Sequence, residues 1–475
     1  MIFSSLLFIF VFLSLNLLVY NVVEKKYRNT VLLGFSLVFY AWGGPRYLLL
    51  LLGETAISWW TAIRISQARK RSRKKDSRFW MIVEVVCLLG LLGIFKYLGF
   101  FMNTFNSWFG LNMNIPEIVL PIGISFYTFQ LLSYVIDVYK GEVEAQQDFS
   151  KLLLYSSLFH QCIAGPIVRY KTIAEEIDNR KVSIDDIYYG IRRFSIGLAK
   201  KAVLANGVAK VADALASTDP QQLSQTSALG IWFGLLCYML QIYLDFSAYS
   251  DMAIGMGRMV GFHYLENFDY PYKAKNVQDF WRRWHISLST FFRDYVYIPL
   301  GGNRAGTWVY VRNMVVVWFL TGMWHGASWN YIFWGIYYLV FLLLEKFVIK
   351  EKIPSGWNRA YTLSVIFFGW MIFRYENMST LLLAFKGLFG MNGGFASAEN
   401  ITMILSNIFL IAIACIGCTD LSVLFNKAAY RLAQENRIAF ITYCGFETIL
   451  PALLVFLSAV ALIGNAYNPF LYFQF

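Results

Sequence analysis

The feature that most constrains this chain is a recurrence of apolar stretches, separated by short polar breaks, along its whole length. Residues 2–21, 31–43, 46–65, 79–101, 118–139, 228–250, 309–322, 328–348, 361–375, 401–419 and 447–464 each carry such a run. A helix crosses a bilayer with about 20 apolar residues, or somewhat fewer where protein shields its ends. The pattern predicts an all-α polytopic membrane protein with eleven or more spans, together with re-entrant and interfacial helices. Composition agrees. Of 475 residues 58% are hydrophobic, 18% aromatic and only 15% charged, and the mean hydropathy is +0.50. A soluble domain carries about 25% charged residues. A chain this apolar cannot cover itself with polar surface in water, so lipid is its solvent. Soluble and disordered readings are excluded.

Met1–Tyr20 has no basic residue ahead of its apolar run and no small-residue cleavage site after it, so a retained first helix is expected. No repeat or soluble domain interrupts residues 1–475, and one membrane-embedded domain is expected. Trp59, Trp60 and Tyr472 suit interfacial belts. Cys87, Cys162, Cys237, Cys415, Cys418 and Cys444 all lie in or beside apolar text, and they read as small buried packing residues.

The net charge of +12, from 41 basic and 29 acidic residues, reads as retention of basic loops in the cytoplasm rather than as affinity for nucleic acid. The densest run, Arg69–Arg78, directly follows an apolar segment. Lys25, Lys26 and Arg28 follow the first span, which places the N-terminus outside and brings Arg69–Arg78 and Lys140–Lys151 inside. Arg192/Arg193 and Lys200/Lys201 are spaced as on a helix lying at the cytoplasmic surface. Since Arg258–Arg312 is basic again, the stretch 228–262 must cross an even number of times or re-enter. Asp245-Phe-Ser-Ala-Tyr-Ser-Asp251 is expected to break it, because irregular polar backbone at that depth survives only beside protein or a cavity.

Of the four histidines, His325 stands between apolar spans in Leu320-Thr-Gly-Met-Trp-His325-Gly-Ala-Ser-Trp-Asn330. An ionisable side chain there is costly and marks a functional site by default. Shielded from water, the imidazole stays neutral, and one ring nitrogen can take a proton from a hydroxyl. The plainer alternative is a hydrogen-bonded core histidine between tryptophans. His285 lies in Phe280-Trp-Arg-Arg-Trp-His285-Ile-Ser-Leu-Ser289; on a helix it shares a face with Trp281 and Ser289, while Arg282 and Arg283 point elsewhere. An interfacial anchor is its plainer reading. Asp245 and Asp251 are carboxylates in apolar text, for which pairing with Arg258 or Lys273 competes with a binding role. Pro299-Leu-Gly-Gly-Asn-Arg304 could cradle a phosphate through backbone N–H groups, or be a plain turn. His160 and His263 read as structural. Gly255-Met-Gly-Arg-Met-Val-Gly261 misses dinucleotide spacing and follows no strand. No nucleophile elbow, Walker loop or metal-ligand cluster occurs, so no metal is expected. Two histidines without a nucleophile motif favour direct transfer between two bound substrates.

Three segments, Asp279–Ser289, Phe292-Arg-Asp-Tyr-Val-Tyr-Ile-Pro-Leu-Gly-Gly-Asn-Arg304 and Gly322-Met-Trp-His-Gly-Ala-Ser-Trp-Asn330, resemble the membrane-bound O-acyltransferase (MBOAT) family, and within it the branch that O-acetylates bacterial alginate. Pro121-Ile-Gly-Ile-Ser-Phe-Tyr127, Ala164-Gly-Pro-Ile-Val-Arg169, Asp245–Asp251 and Pro469-Phe-Leu-Tyr-Phe-Gln-Phe475 extend the likeness over most of the chain. The resemblance implies a many-helix fold around a through-membrane tunnel in the bacterial cytoplasmic membrane. It puts the family's principal histidine on His325 and its second polar position on His285. It also implies acetyl-CoA as a cytoplasmic donor, no permanently bound cofactor, and export of the acetyl group toward a secreted or cell-surface polysaccharide through an extracytoplasmic protein partner. Arg282, Arg283, Asn303, Arg304, Trp324, Asn330, Asp245 and Asp251 are the candidate substrate- or donor-binding residues. His160 stands where the family's pattern leads to proline, which leaves a role of its own open to it. In the implied mechanism His325 takes the proton of an acceptor hydroxyl, the oxygen attacks the thioester carbonyl, and His285 or a nearby donor steadies the oxyanion. Two rivals stand beside this. One is D-alanyl transfer to teichoic acid from a carrier protein, against which chain length and the Phe-Gln-Phe ending speak. The other is a transporter or flippase, which should show an inverted repeat.

Overall fold

The computed structural model describes residues 2–116, 118–161, 165–349, 353–354, 356–464 and 467–469. Cys162, Ala164, Tyr472 and the terminal 470–475 stretch lie outside the described residues. Among the described residues every regular element is a helix. Pro45–Lys70, Lys74–Phe109, Ala228–Met259, Trp329–Ile349 and Arg437–Ile463 are long and apolar enough to cross a bilayer, and the pair Ala398–Ser406 and Ile408–Gly417, bent by 54°, makes a sixth candidate. The other predicted spans also fall on helices, but these are shorter, such as Arg28–Trp42 with 15 residues and Ile124–Lys140 and Asn358–Arg374 with 17 each. Among the described residues, length and apolarity thus mark five crossings, or six with the bent pair, and do not by themselves extend to eleven.

The chain gathers into two compact units. The first contains Met1–Ile191, Ala253–Glu266 and Arg293–Tyr295. Pro45, whose fixed φ suits a first turn, starts its longest single α-helix directly after Gly44, at φ 145°. That helix and the one from Lys74 are joined by an exposed turn in which Ser72 is left-handed (φ 56°), so the Arg69–Arg78 charges sit at a helix-to-helix corner. Two carboxylates are fully buried here: Glu84 accepts from Ser58 (2.6 Å) and Thr61 (2.9 Å), and Glu54 accepts from Thr128 (2.8 Å). Hydroxyl donors answer the polar demand where no water reaches. His160 is buried with Nδ1 3.4 Å from the Tyr264 hydroxyl, and His263 pairs with Glu176 and Asp186.

The second unit contains Arg192–Met252, Asn267–Phe292 and Val296–Phe475. Its core is aromatic, with Tyr238, Trp284, Trp334, Tyr338 and Trp370 all buried. Here several expectations are corrected. Asp245–Asp251 does not break its segment, for Ala228–Met259 is one continuous helix of 32 residues. Its carboxylates are answered by cations instead of by irregular backbone. Lys201 Nζ lies 2.6 Å from Asp245, while Lys200 and Arg193 each lie 2.7 Å from Asp251. The same pairs show that these cations are not left to solvent or headgroups, since Arg192 is taken by Glu447 and Lys201 is 1% exposed. Arg258 and Lys273 find Asp186 and Asp420, each within its own neighbourhood, and not the two aspartates. Cys415 and Cys444 are exposed, not buried: apolar thiols need no cover where the solvent is lipid.

Candidate active site

His325 is the last residue of the Thr307–His325 helix, and the Trp329–Leu344 helix begins four residues later. Glycine sets how closely the two approach. A Cβ on Gly322 would strike the Tyr331 carbonyl oxygen, and one on Gly335 would strike the Trp318 carbonyl oxygen. The Gly-Met-Trp-His-Gly text thus makes a hairpin whose helices touch backbone to backbone, with His325 held at its tip. The imidazole is 7% exposed. Its ring meets Trp334 at 4.9 Å, Trp324 at 5.0 Å and Phe373 at 5.4 Å, all nearly perpendicular. Edge-to-face packing on three rings fixes the imidazole plane.

His285 approaches the same tryptophan, with ring centroids 5.5 Å apart. Both imidazoles thus pack against Trp324, itself 4% exposed, and Phe246 meets the His285 ring edge-to-face at 4.7 Å. The predicted continuous helix through Trp281, His285 and Ser289 is not formed. Val277–Arg283 ends before His285 and Ile286–Phe292 starts after it. His285 has φ 44°, a conformation that costs a non-glycine residue of the order of 1 kcal/mol and gathers at functional sites. Burial, with His325 nearby, holds the ring's pKa well below its ordinary 6.5, so the imidazole is neutral.

The loop after the Ala228–Met259 helix clamps this break. The Ile286 N–H donates to the Asn267 carbonyl (2.9 Å) and the Asp269 N–H to the Arg283 carbonyl (3.0 Å). Asn267, fully buried, places Oδ1 3.1 Å from the Ser287 N–H, 2.9 Å from the Ser287 hydroxyl and 3.2 Å from His285 Nδ1, and its amide donates to the Ser250 hydroxyl.

Of the remaining sequence candidates, Trp324 contacts both histidines and Asn330 is buried at the start of the next helix, donating to the Phe373 carbonyl. Arg283 is held by Asp279 and Asp269, which leaves Arg282 as the exposed member of that pair. Asn303 and Arg304 are exposed on a turn. In that turn the N–H groups of Leu300, Gly301 and Gly302 are already spent on Val296, Ile298 and Tyr297 and are closed to a phosphate, while Asn313 donates to the Leu300 and Gly302 carbonyls. Asp245 and Asp251 are consumed by ion pairs. Asn267, Phe246, Trp334 and Phe373 were missed, for none carries a spacing that marks it.

The sequence profile described as the MBOAT, membrane-bound O-acyltransferase family matches residues 146–385, a span that contains both histidines and Asn267. The chain is 36% identical over its full length, and that of its relative, to the "Probable alginate O-acetylase AlgI" of Pseudomonas putida. It is 32% identical to the peptidoglycan O-acetyltransferase of Helicobacter pylori, over all of this chain and 98% of that one. To the teichoic acid D-alanyltransferase of Bacillus subtilis it is 28% identical, over 50% of this chain and 61% of that one.

Proposed function

The chain belongs to the membrane-bound O-acyltransferase family and is an integral membrane O-acyltransferase; on that premise we propose that it carries acetyl groups from cytoplasmic acetyl-CoA across the bacterial inner membrane to a secreted or cell-surface polysaccharide, with its N-terminus outside. The observation that carries the reading is the pair of buried imidazoles that share a contact with Trp324. A neutral imidazole shielded from water is the base that a hydroxyl needs at neutral pH. The acceptor oxygen forms its bond to the acetyl carbonyl carbon as His325 takes the hydroxyl proton. The C–S bond then breaks, and the proton leaves with the thiolate as free thiol, so the histidine is restored. A protein partner outside the membrane receives the acetyl group and passes it on. Relatives named for alginate and peptidoglycan O-acetylation match the whole chain, and the one named for D-alanyl transfer matches half of it, which favours acetyl over D-alanyl.

The test is thioester consumption by the purified protein in lipid nanodiscs, offered acetyl-CoA or a D-alanyl carrier-protein thioester. Acetyl-CoA consumption, lost by about 10²–10⁴-fold in His325→Ala, is the expected result. Consumption of the D-alanyl thioester alone refutes the acetyl reading, and wild-type turnover by His325→Ala refutes the mechanism.

A further inference from the structure

Within that acyl-transfer reading, on which this step rests, we infer that Asn267 is a positioning residue that locks His285 as its Nδ1–H tautomer and so presents a bare, proton-accepting Nε2 to the site.

The argument runs from the backbone outward. A main-chain N–H can only donate, so the Ser287 N–H at 3.1 Å fixes which end of the Asn267 amide faces it: that end is the oxygen. The other end, the NH₂, donates to the Ser250 hydroxyl at 3.2 Å. His285 Nδ1, 3.2 Å from the same oxygen, faces an acceptor and must carry hydrogen. The second neighbour of Nδ1 is the Ser287 hydroxyl at 3.4 Å, whose own hydrogen is directed to Asn267 Oδ1 at 2.9 Å, leaving a lone pair toward the ring. Both neighbours therefore want a proton on Nδ1. A neutral imidazole has one N–H, so Nε2 is bare. His285 is 1% exposed, and its Nε2 has no hydrogen-bond partner among the described residues. A fully buried acceptor left open in this way is a position waiting for a donor.

The frame is built to hold that orientation. The backbone bonds Ile286 N–H to Asn267 O and Asp269 N–H to Arg283 O bracket His285 on both sides, and Asn267 has no exposure. The left-handed φ at His285 turns the ring out of a helical path, where it would follow Trp281, and toward Asn267. The consequence is chemical. A neutral Nδ1–H imidazole has no hydrogen on Nε2, so His285 does not supply the oxyanion with a hydrogen bond. It accepts a hydrogen bond at Nε2, while the proton of the acceptor hydroxyl goes to His325. Trp324 packs against both imidazoles, at 5.5 Å from His285 and 5.0 Å from His325.

The test uses the full chain, labelled with ¹⁵N-histidine, in lipid nanodiscs. With four histidines in the sequence, His285→Gln assigns the His285 signals by their disappearance. The expected spectrum has a protonated, pyrrole-type Nδ1 and an unprotonated, pyridine-type Nε2 at neutral pH. A protonated Nε2 overturns the proposal outright. Asn267→Ala is expected to mix the tautomers and to lower kcat for acetyl transfer about tenfold, the worth of one hydrogen bond, with KM for acetyl-CoA unchanged. A folded Asn267→Ala that keeps the wild-type spectrum and kcat also overturns it. If that variant does not fold, the wild-type spectrum alone decides. Should the wild-type protein fail to consume acetyl-CoA while its spectrum shows a bare Nε2, the acetyl-transfer reading falls and the tautomer assignment stands.

Discussion

Removing the charge of Lys201 tests whether the aspartates of the long helix are structure or chemistry. Lys201 and Asp245 are 1% and 3% exposed at their side chains and 2.6 Å apart. Taking two ions out of water costs several kcal/mol each, and their mutual attraction offsets that cost only while both are present. Lys201→Met leaves a carboxylate buried without its partner, at about 3–5 kcal/mol, and also removes the hydrogen bond from Lys201 to the Pro469 carbonyl, at about 1 kcal/mol. Against a typical total of about 5–15 kcal/mol, that is a large loss. The double variant Lys201→Met/Asp245→Leu removes both charges and is expected to regain most of the deficit, leaving roughly the 1 kcal/mol of the Pro469 bond. Thermal unfolding in nanodiscs reads the stability, and acetyl transfer below the lowest midpoint reads the chemistry. A double variant with a near-wild-type midpoint and near-wild-type turnover supports a purely structural pair. The same midpoint with turnover abolished refutes it, and returns Asp245 to the binding role that its position in the sequence suggests.

Three further outcomes are expected. Gly322→Ala pushes a methyl group into the Tyr331 carbonyl and should cost about 1–3 kcal/mol, lowering the thermal midpoint and turnover together; an unchanged midpoint refutes the close-packed hairpin. Because the His285 pKa is depressed, any acidic limb it gives to kcat/KM lies below 6.5, with His325 as the titratable group facing it. The same shift leaves stability level above pH 6.5 and lowers it as pH falls from there toward the folded-state value; a limb at or above 6.5 that vanishes in His285→Gln refutes the buried neutral ring. Single cysteines at Ser72 and Thr307 in a cysteine-free background should react with an impermeant thiol reagent only after the cells are opened, placing Arg69–Arg78 and Lys273–Arg304 together inside; labelling of Thr307 but not Ser72 on intact cells refutes donor entry from the cytoplasm.

Helix positions were legible because lipid leaves a one-dimensional record: each apolar run found its helix, from 46–65 within Pro45–Lys70 to 228–250 within Ala228–Met259. What the record omits is pairing between distant segments. Asp245 and Asp251 look like breaks in isolation, and only the approach of Arg193, Lys200 and Lys201 turns them into counterions. His325 was legible for the opposite reason, since nothing near it in sequence excuses an imidazole there. The helix expected through His285 failed because hydrophobic spacing reports which face is apolar and carries no information on φ. A left-handed residue is invisible unless glycine marks it, and His285 is not glycine.

The same reasoning separates an acyltransferase from a transporter built on similar text. A transport site must bind and release cargo from alternate sides, so its polar groups line a path that opens. At His285 and His325 the polar groups are instead clamped. Two backbone hydrogen bonds and a buried asparagine fix one ring, and three perpendicular aromatic rings fix the other. Rigid placement of that kind suits a proton transfer, whose efficiency depends on the nitrogen meeting the hydroxyl within hydrogen-bond reach. A site that had to rock open would lose the Asn267 latch at each cycle, and with it the tautomer that makes His285 an acceptor. Acyl transfer at such a site has its substrates come to fixed imidazoles rather than the imidazoles move to them.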